Sequence, residues 1–151
     1  MEVVCNAYEF PDGNLDGAKE IARSSSDRAE QLLALSVCAV DALNREIREA
    51  PDLGRGKQIG HTVLLGIGGE SVSEQEQSIL DIWKYEIMPL LEEYYFGQFD
   101  RIDQELFDGN GGSLFDSDSE EICSFSAVEL AEASIGIVDG LEDVTVNDRE
   151  A

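Results

Sequence analysis

Residues 73–97 read SEQEQSILDIWKYEIMPLLEEYYFG, and the reading of this stretch decides the fold. Ile79, Ile82, Trp83, Ile87, Leu90, Leu91 and Tyr94 recur at helical spacing and form one apolar stripe. Ser73, followed three residues later by Glu76, has the pattern of a capping box and predicts a helix start there. Pro89 falls inside the stripe. It has no N–H and its ring crowds the preceding turn, so the helix should kink or split near Ile87–Met88. The aromatic residues Trp83, Tyr85, Tyr94, Tyr95 and Phe96 sit on this helix. That placement favours packing in a core or a subunit contact over stacking on bases.

The chain on either side has the same helical character. Asp27 and Glu30 suggest a second capping box, after which Leu32, Leu35, Ala39, Val40, Leu43 and Ile47 form another stripe, ended by Pro51. Arg45, Glu46, Arg48 and Glu49 lie off that stripe. A short helix is expected over 15–24, although Gly17 weakens it, and another over 99–107 around Ile102 and Leu106. DGNGG (108–112) breaks the pattern, SLFDSDSEEI reads as loop, and Ser126 with Glu129 opens a last short helix. Val3–Val4 suggest a short strand. Residues 58–66, QIGHTVLLG, are β-branched and apolar but too few for an independent helix, and they read as a buried extended segment. The expected fold is mainly α: a small helical bundle with helices near 27–50, 74–96 and 99–107 and an extended piece near 58–66. The expected organisation is an N-terminal linker over 1–25, a helical domain over 26–107, a loop and short helix over 108–138, and an acidic, disordered tail over 139–151.

A chain of 151 residues with 42% apolar composition can bury a real core. Its charge is extreme: 33 acidic residues against 10 basic ones, a net charge of −23. Such a chain repels nucleic-acid backbones and anionic membranes, so neither is expected as a direct partner. The acidity fits a haloarchaeal-like, halophilic surface, with imitation of a nucleic acid or an acidic binding tail as alternatives. Cys5, Cys38 and Cys123 are odd in number and widely spaced, with no CxxC pair and a single His. That is poor material for a metal site or a disulfide framework and fits a reduced, cytoplasmic setting. The N-terminus lacks the basic and apolar regions of a signal peptide, and no apolar run approaches the roughly 20 residues that span a bilayer.

GRGKQIGHTVLL (54–65) looks half like a phosphate-binding loop. A Walker A loop needs GxxxxGK[ST] between a strand and a helix. Here Gly54 and Gly56 are two apart, Lys57 precedes Gln58, and a helix comes before. Both spacing and context are wrong. His61, the only His, reads either as a hydrogen-bonded structural residue or as one facing a nucleotide or a partner subunit; no nucleophile accompanies it for base catalysis. Arg45, Arg48, Arg55 and Lys57 gather within 13 positions. They either pair with nearby acids such as Glu46 and Glu49 or make a positive patch for a phosphate or acidic surface. Carboxylate pairs such as Glu92–Glu93 and Glu120–Glu121 occur throughout, so none stands out as a catalytic dyad.

The order of the pieces resembles the C-terminal part of McrB-type AAA+ proteins, the nucleotidase subunits of modification-dependent restriction systems. The resemblance rests on Leu43-Asn44-Arg45-Glu46-Ile47, then Ile59-Gly60-His61-Thr62, then Trp83 with Ile87, Pro89, Leu90, Leu91, Glu93 and Tyr94, and it covers roughly 30–107. Thr62 stands where the family usually has Ser. The resemblance implies a helical lid that closes over a nucleotide and bears on a neighbouring ring subunit. The family's Walker A, Walker B and sensor 1 segments would precede residue 1, so the chain is expected to be lid alone, from a truncated or split gene, and not catalytic by itself. Its partners would be an AAA+ core or ring subunits. GTP or ATP with Mg would be held by that core, with no cofactor or metal bound by this chain alone. Arg55, Lys57 and His61 would lie near the nucleotide or subunit interface. The resemblance assigns no sensor 2 arginine; Arg55 and Lys57 come nearest. An acidic binding module without nucleotide chemistry, a DNA mimic or an adaptor, is the alternative.

Overall fold

A computed structural model describes residues 16–49, 59, 69–107, 109, 111, 114–116, 121–138, 140–141 and 143–144. The fold is mainly helical. In chain order come α1 (Asp16–Ser24), α2 (Arg28–Glu49), α3 (Val72–Ile82), a π-helical turn (Trp83–Ile87), α4 (Met88–Tyr94), α5 (Phe99–Leu106), an antiparallel strand pair β1 (Phe115–Asp116) and β2 (Glu121–Ile122), and α6 (Ala127–Ile137). The expected strand around Val3–Val4 and the extended segment 58–66, apart from Ile59, lie outside the described residues.

α2 is the axis of the fold: α1, α3, α5 and α6 all pack against it. The spacing of its large residues predicts one apolar stripe. The helix is instead buried all round, and every residue from Gln31 to Asn44 is buried. Small side chains make this possible. Ala34, Ser36, Cys38, Ala39 and Ala42 let neighbouring helices approach closely on the faces that carry no Leu. The start of α2 follows expectation in part. Asp27 Oδ1 accepts from the N–H groups of Ala29 (2.9 Å) and Glu30 (3.1 Å), but Ser25 Oγ, at 3.2 Å, receives the Asp27 N–H.

The start of α3 differs from the Ser73–Glu76 box. The N-cap is Ser71: its Oγ accepts from Glu74 N–H at 3.1 Å, and the Glu74 carboxylate accepts from Ser71 N–H at 3.3 Å and Glu70 N–H at 2.8 Å. The same S-x-x-E spacing occurs twice, two residues apart, and the backbone decides between them. Gly69 has φ +123°, and a Cβ there would stand 2.7 Å from the Cβ of Glu74. The chain therefore turns into the helix at Ser71 because a glycine precedes it. Glu76 is left to pair with Arg28 at 3.3 Å, tying the start of α2 to α3.

Pro89 neither breaks nor ends the helical path. The turn before it widens: Met88 N–H donates to Trp83 C=O, five residues back, and α4 resumes with Pro89 in its first turn. A π turn takes up the proline in two ways. It needs no N–H from Pro89, and it moves the crowded carbonyl away from the ring. Trp83, Ile87, Met88 and Leu91 stay buried across the change of pitch.

The segment 108–125 has more structure than a loop. Leu114 and Phe115 are buried, and the Phe115 ring stacks on Phe99 (5.3 Å between centroids) and meets Phe107 edge-on (6.0 Å). Gly111 allows this approach, because a Cβ there would fall 2.9 Å from the Phe115 ring. α6 opens at the expected Ser126–Glu129 capping box and covers a face of α2. Leu141 is fully buried and Val138 nearly so, and Arg23 donates to Gly140 C=O and lies 3.8 Å from Asp143. One hydrophobic core therefore runs from Ala18 to Leu141, across the segments that composition divides into linker, domain and tail.

Arg23, Arg28, Arg45 and Arg101 each sit within 4 Å of a carboxylate; the Arg23–Asp143 and Arg28–Glu76 pairs join distant parts of the chain, whereas Arg45–Asp41 and Arg101–Glu105 lie within one helix. The remaining repulsion of a −23 chain is long-range and is screened by salt. The melting temperature is expected to climb steadily from low to molar NaCl in a thermal scan. A flat profile would contradict the charge argument.

Candidate functional site

Two buried hydrogen-bond links, both anchored on α2, organise the middle of the chain. The first joins α2 to the π turn. Ser36 Oγ accepts from Trp83 Nε1–H at 3.0 Å and donates to Leu32 C=O at 2.8 Å. Trp83 is 1% exposed, so its one polar atom needs this partner.

The second link joins α2 to the segment that carries the candidate residues. Asn44 Nδ2 donates to Ile59 C=O at 3.0 Å, and Ile59 N–H donates to Asn44 Oδ1 at 2.6 Å. Both residues are buried. The amide thus satisfies both backbone groups of one residue, as a neighbouring β-strand would, and fixes position and direction of the chain at Ile59. Asn44 comes from the Leu-Asn-x-x-Ile motif and Ile59 opens the Ile-Gly-His motif, so the geometry joins two stretches that sequence reading only places in order. The signal was present in the sequence. Asn44 lies four residues after Val40 and three before Ile47, a polar residue with core spacing.

Arg55, Lys57 and His61 lie outside the described residues; Ile59, between Lys57 and His61, is 2% exposed. The other two members of the basic group are on α2. Arg45 lies 3.3 Å from Asp41, an i,i+4 pair of the expected kind but with an acid on the preceding turn rather than Glu46 or Glu49. Arg48 is half-exposed near the end of the helix. Trp83 and Tyr95 are fully packed, whereas Tyr85 and Phe96 point into solvent.

Among the described residues no three His, Cys, Asp or Glu side chains gather as a metal site would, and no helix is long and apolar enough to cross a membrane. Cys38 is buried in α2. Burial is the main cause that pushes its thiol up to about 11, and nearby Asp41 adds to it, while Lys19 and Arg23 pull the other way. At neutral pH the group is therefore a thiol, not the thiolate that nucleophilic chemistry needs. A maleimide at pH 7.5 should modify half-exposed Cys123 in the native protein and reach Cys38 only after denaturation, as read by peptide mass spectrometry. Labelling of native Cys38 at a comparable rate would mean that α2 is not shielded by α1 and α6.

The class these features define is a helical lid-like bundle: a central helix that holds Ile59 through Asn44 and a proline-adapted helix through the Ser36–Trp83 bond. Residues 36–103 match the family model described as McrB, alpha-helical lid domain, which supports an McrB-type helical lid over this stretch. The matched segment begins at Ser36 and contains both buried links, the π turn and most of α5; α1, the strand pair and α6 lie beyond it. No curated protein and no solved structure matches the chain.

Proposed function

We propose that the chain serves as the lid part of an McrB-type GTPase or ATPase subunit of a restriction system and acts only when docked on an AAA+ nucleotidase core. The supporting observation is that Asn44 of the first motif holds Ile59, which opens the second, and that Ser36 of the same helix holds Trp83, which opens the third, within the segment that matches the lid family. Holding both backbone groups of Ile59 lowers the entropic cost of ordering the chain at that residue.

In this reading the core holds the nucleotide and Mg. Arg55, Lys57 and His61, flanking the latched Ile59, contribute cationic and hydrogen-bonding groups at the nucleotide or at the boundary with the next subunit. Positive charge that is scarce in this chain is then placed beside the strongly negative ligand of the assembly. In this reading the chain needs neither a phosphate loop nor an activated nucleophile of its own.

The experiment compares hydrolysis of GTP and ATP by the purified chain, by an McrB-type core expressed separately, and by their mixture. The chain alone is expected to show no turnover, and the mixture is expected to exceed the core alone, with Lys57→Ala reducing the gain. Turnover by the chain alone that Lys57→Ala abolishes would overturn the proposal.

A further inference from the structure

α1 has little of its own to hold it on the bundle. It is nine residues long, too short to be stable alone. Its fully buried side chains are Ala18 and Ala22, which bury little apolar area, and Ile21 is only half-buried. A buried hydrogen bond from α2 reaches it, Gln31 Nε2–H to Ala22 C=O at 3.0 Å. Lys19 and Arg23 stand four residues apart on the helix, a like-charge pair that opposes it. Further hold comes from the other end of the chain. After α6, Val138 is extended and nearly buried, Gly140 turns the chain at φ +87°, and Leu141 is fully buried. Val144 N–H donates to Leu141 C=O at 3.0 Å, and the Val144 side chain packs half-buried against the core. Arg23 donates to Gly140 C=O, and its Nε lies 3.8 Å from Asp143. A Cβ at Gly140 would stand 3.8 Å from both Lys19 Nζ and Arg23 Nη2, so the two cations of α1 lie over this turn. The carbonyl and the carboxylate offset their mutual repulsion.

Gln31 and Cys38 are seven residues apart on α2 and so share a face. α1 covers that face: Ala22 meets Gln31, and Lys19 and Arg23 are the cations that act on the Cys38 thiol. We infer that segment 138–144 is a strap hooked into the core by Leu141, and that the strap and α1 open together as one unit, baring the Gln31–Cys38 face of α2 while α3 to α5 stay folded. The contrast in packing is the reason. Trp83, Ile87, Met88, Leu91, Phe99 and Ile102 are all buried on the α3–α5 side, so that side opens only at a much higher free energy than a helix held by two alanines. α1 and the strap also lie outside residues 36–103, the segment that matches the lid family. The device is therefore separate from that segment, and it operates whether or not the chain docks on a core. Whether one face of α2 is covered depends on a single leucine more than 100 residues away in the chain.

Native-state hydrogen exchange on the full chain tests this. In the parent, the amides of Ala22 and Arg23 should be protected roughly tenfold less, or weaker still, than those of Trp83 and Tyr95. Leu141→Ala removes the hook and should lower α1 protection by roughly tenfold or more. Without denaturant, maleimide at pH 7.5 should then modify Cys38 over a time in which the parent's Cys38 stays unmodified. Ile87→Val is the companion. It weakens packing that survives the opening of the strap, so it should lower protection at Trp83 and Tyr95 by roughly threefold and leave α1 protection and Cys38 labelling as in the parent. Equal protection of α1 and Trp83 in the parent would overturn the separate unit. So would a loss in Ile87→Val that falls on α1 and Trp83 alike. Unchanged α1 exchange and Cys38 labelling in Leu141→Ala would overturn the strap. Should Leu141→Ala fail to fold, the parent and Ile87→Val still decide the matter.

Discussion

Trp83→Ala is expected to remove a large share of the chain's stability. The indole is fully buried where the π turn crosses α2, and truncating such a side chain costs about 3–5 kcal/mol. A domain of this size holds only about 5–15 kcal/mol in total. The loss also removes the donor to Ser36 Oγ, whose own proton remains committed to Leu32 C=O. Trp83→Phe separates the two contributions: it keeps most of the ring packing and loses the hydrogen bond, so it should cost roughly 1–2 kcal/mol. Urea unfolding followed by far-UV circular dichroism is the appropriate measurement, since Trp83 is the only tryptophan and its fluorescence disappears with it. A Trp83→Ala variant within 1 kcal/mol of the parent would show that the π turn is not anchored on α2.

The second large effect is expected at Asn44. Asn44→Ala leaves both the N–H and the C=O of buried Ile59 without their partner and should cost roughly 2–4 kcal/mol. Asn44→Asp is the informative companion. A carboxylate can still accept from Ile59 N–H but cannot donate to Ile59 C=O, and it buries a charge, so it should be no better tolerated than alanine. Hydrogen exchange supplies the local readout. The Ile59 amide should be protected in the parent and exchange at least tenfold faster in Asn44→Ala at conditions where α2 remains protected. Unchanged exchange at Ile59 would mean that the segment between α2 and α3 is held by something other than this amide.

These two residues also show how far the chain was readable before its structure. Trp83 is legible as core from its spacing with Ile79, Ile87 and Leu91, and its burial follows. Its partner is not legible, because Ser36 is one of many serines and lies 47 residues away. Asn44 is legible as part of a motif, and its core spacing is visible, yet what satisfies it is a backbone group 15 residues on. The capping boxes divide in the same manner. Ser126–Glu129 is as read, whereas the opening of α3 moves to Ser71–Glu74 because Gly69, outside the box pattern, steers the chain. Phe96 escaped the spacing argument altogether. It follows an apolar stripe and so reads as packed, and only the left-handed cap turns its ring outward.

By itself the sequence determined which segments are helical, which large residues form their stripes, where Pro89 must disturb the helix, and the order of motifs that resembles a lid. These properties are local, written in spacings of three and four residues and in the chemistry of helix ends. The tertiary structure alone decided that α2 is enclosed on every side, that the proline is absorbed by a π turn rather than a break, that Leu141 returns to the core, and that Asn44 grips Ile59. The physical reason is common to all four. Whether a face is covered, a turn can widen or a buried amide is satisfied depends on groups brought in from distant parts of the chain, and periodicity carries no record of them.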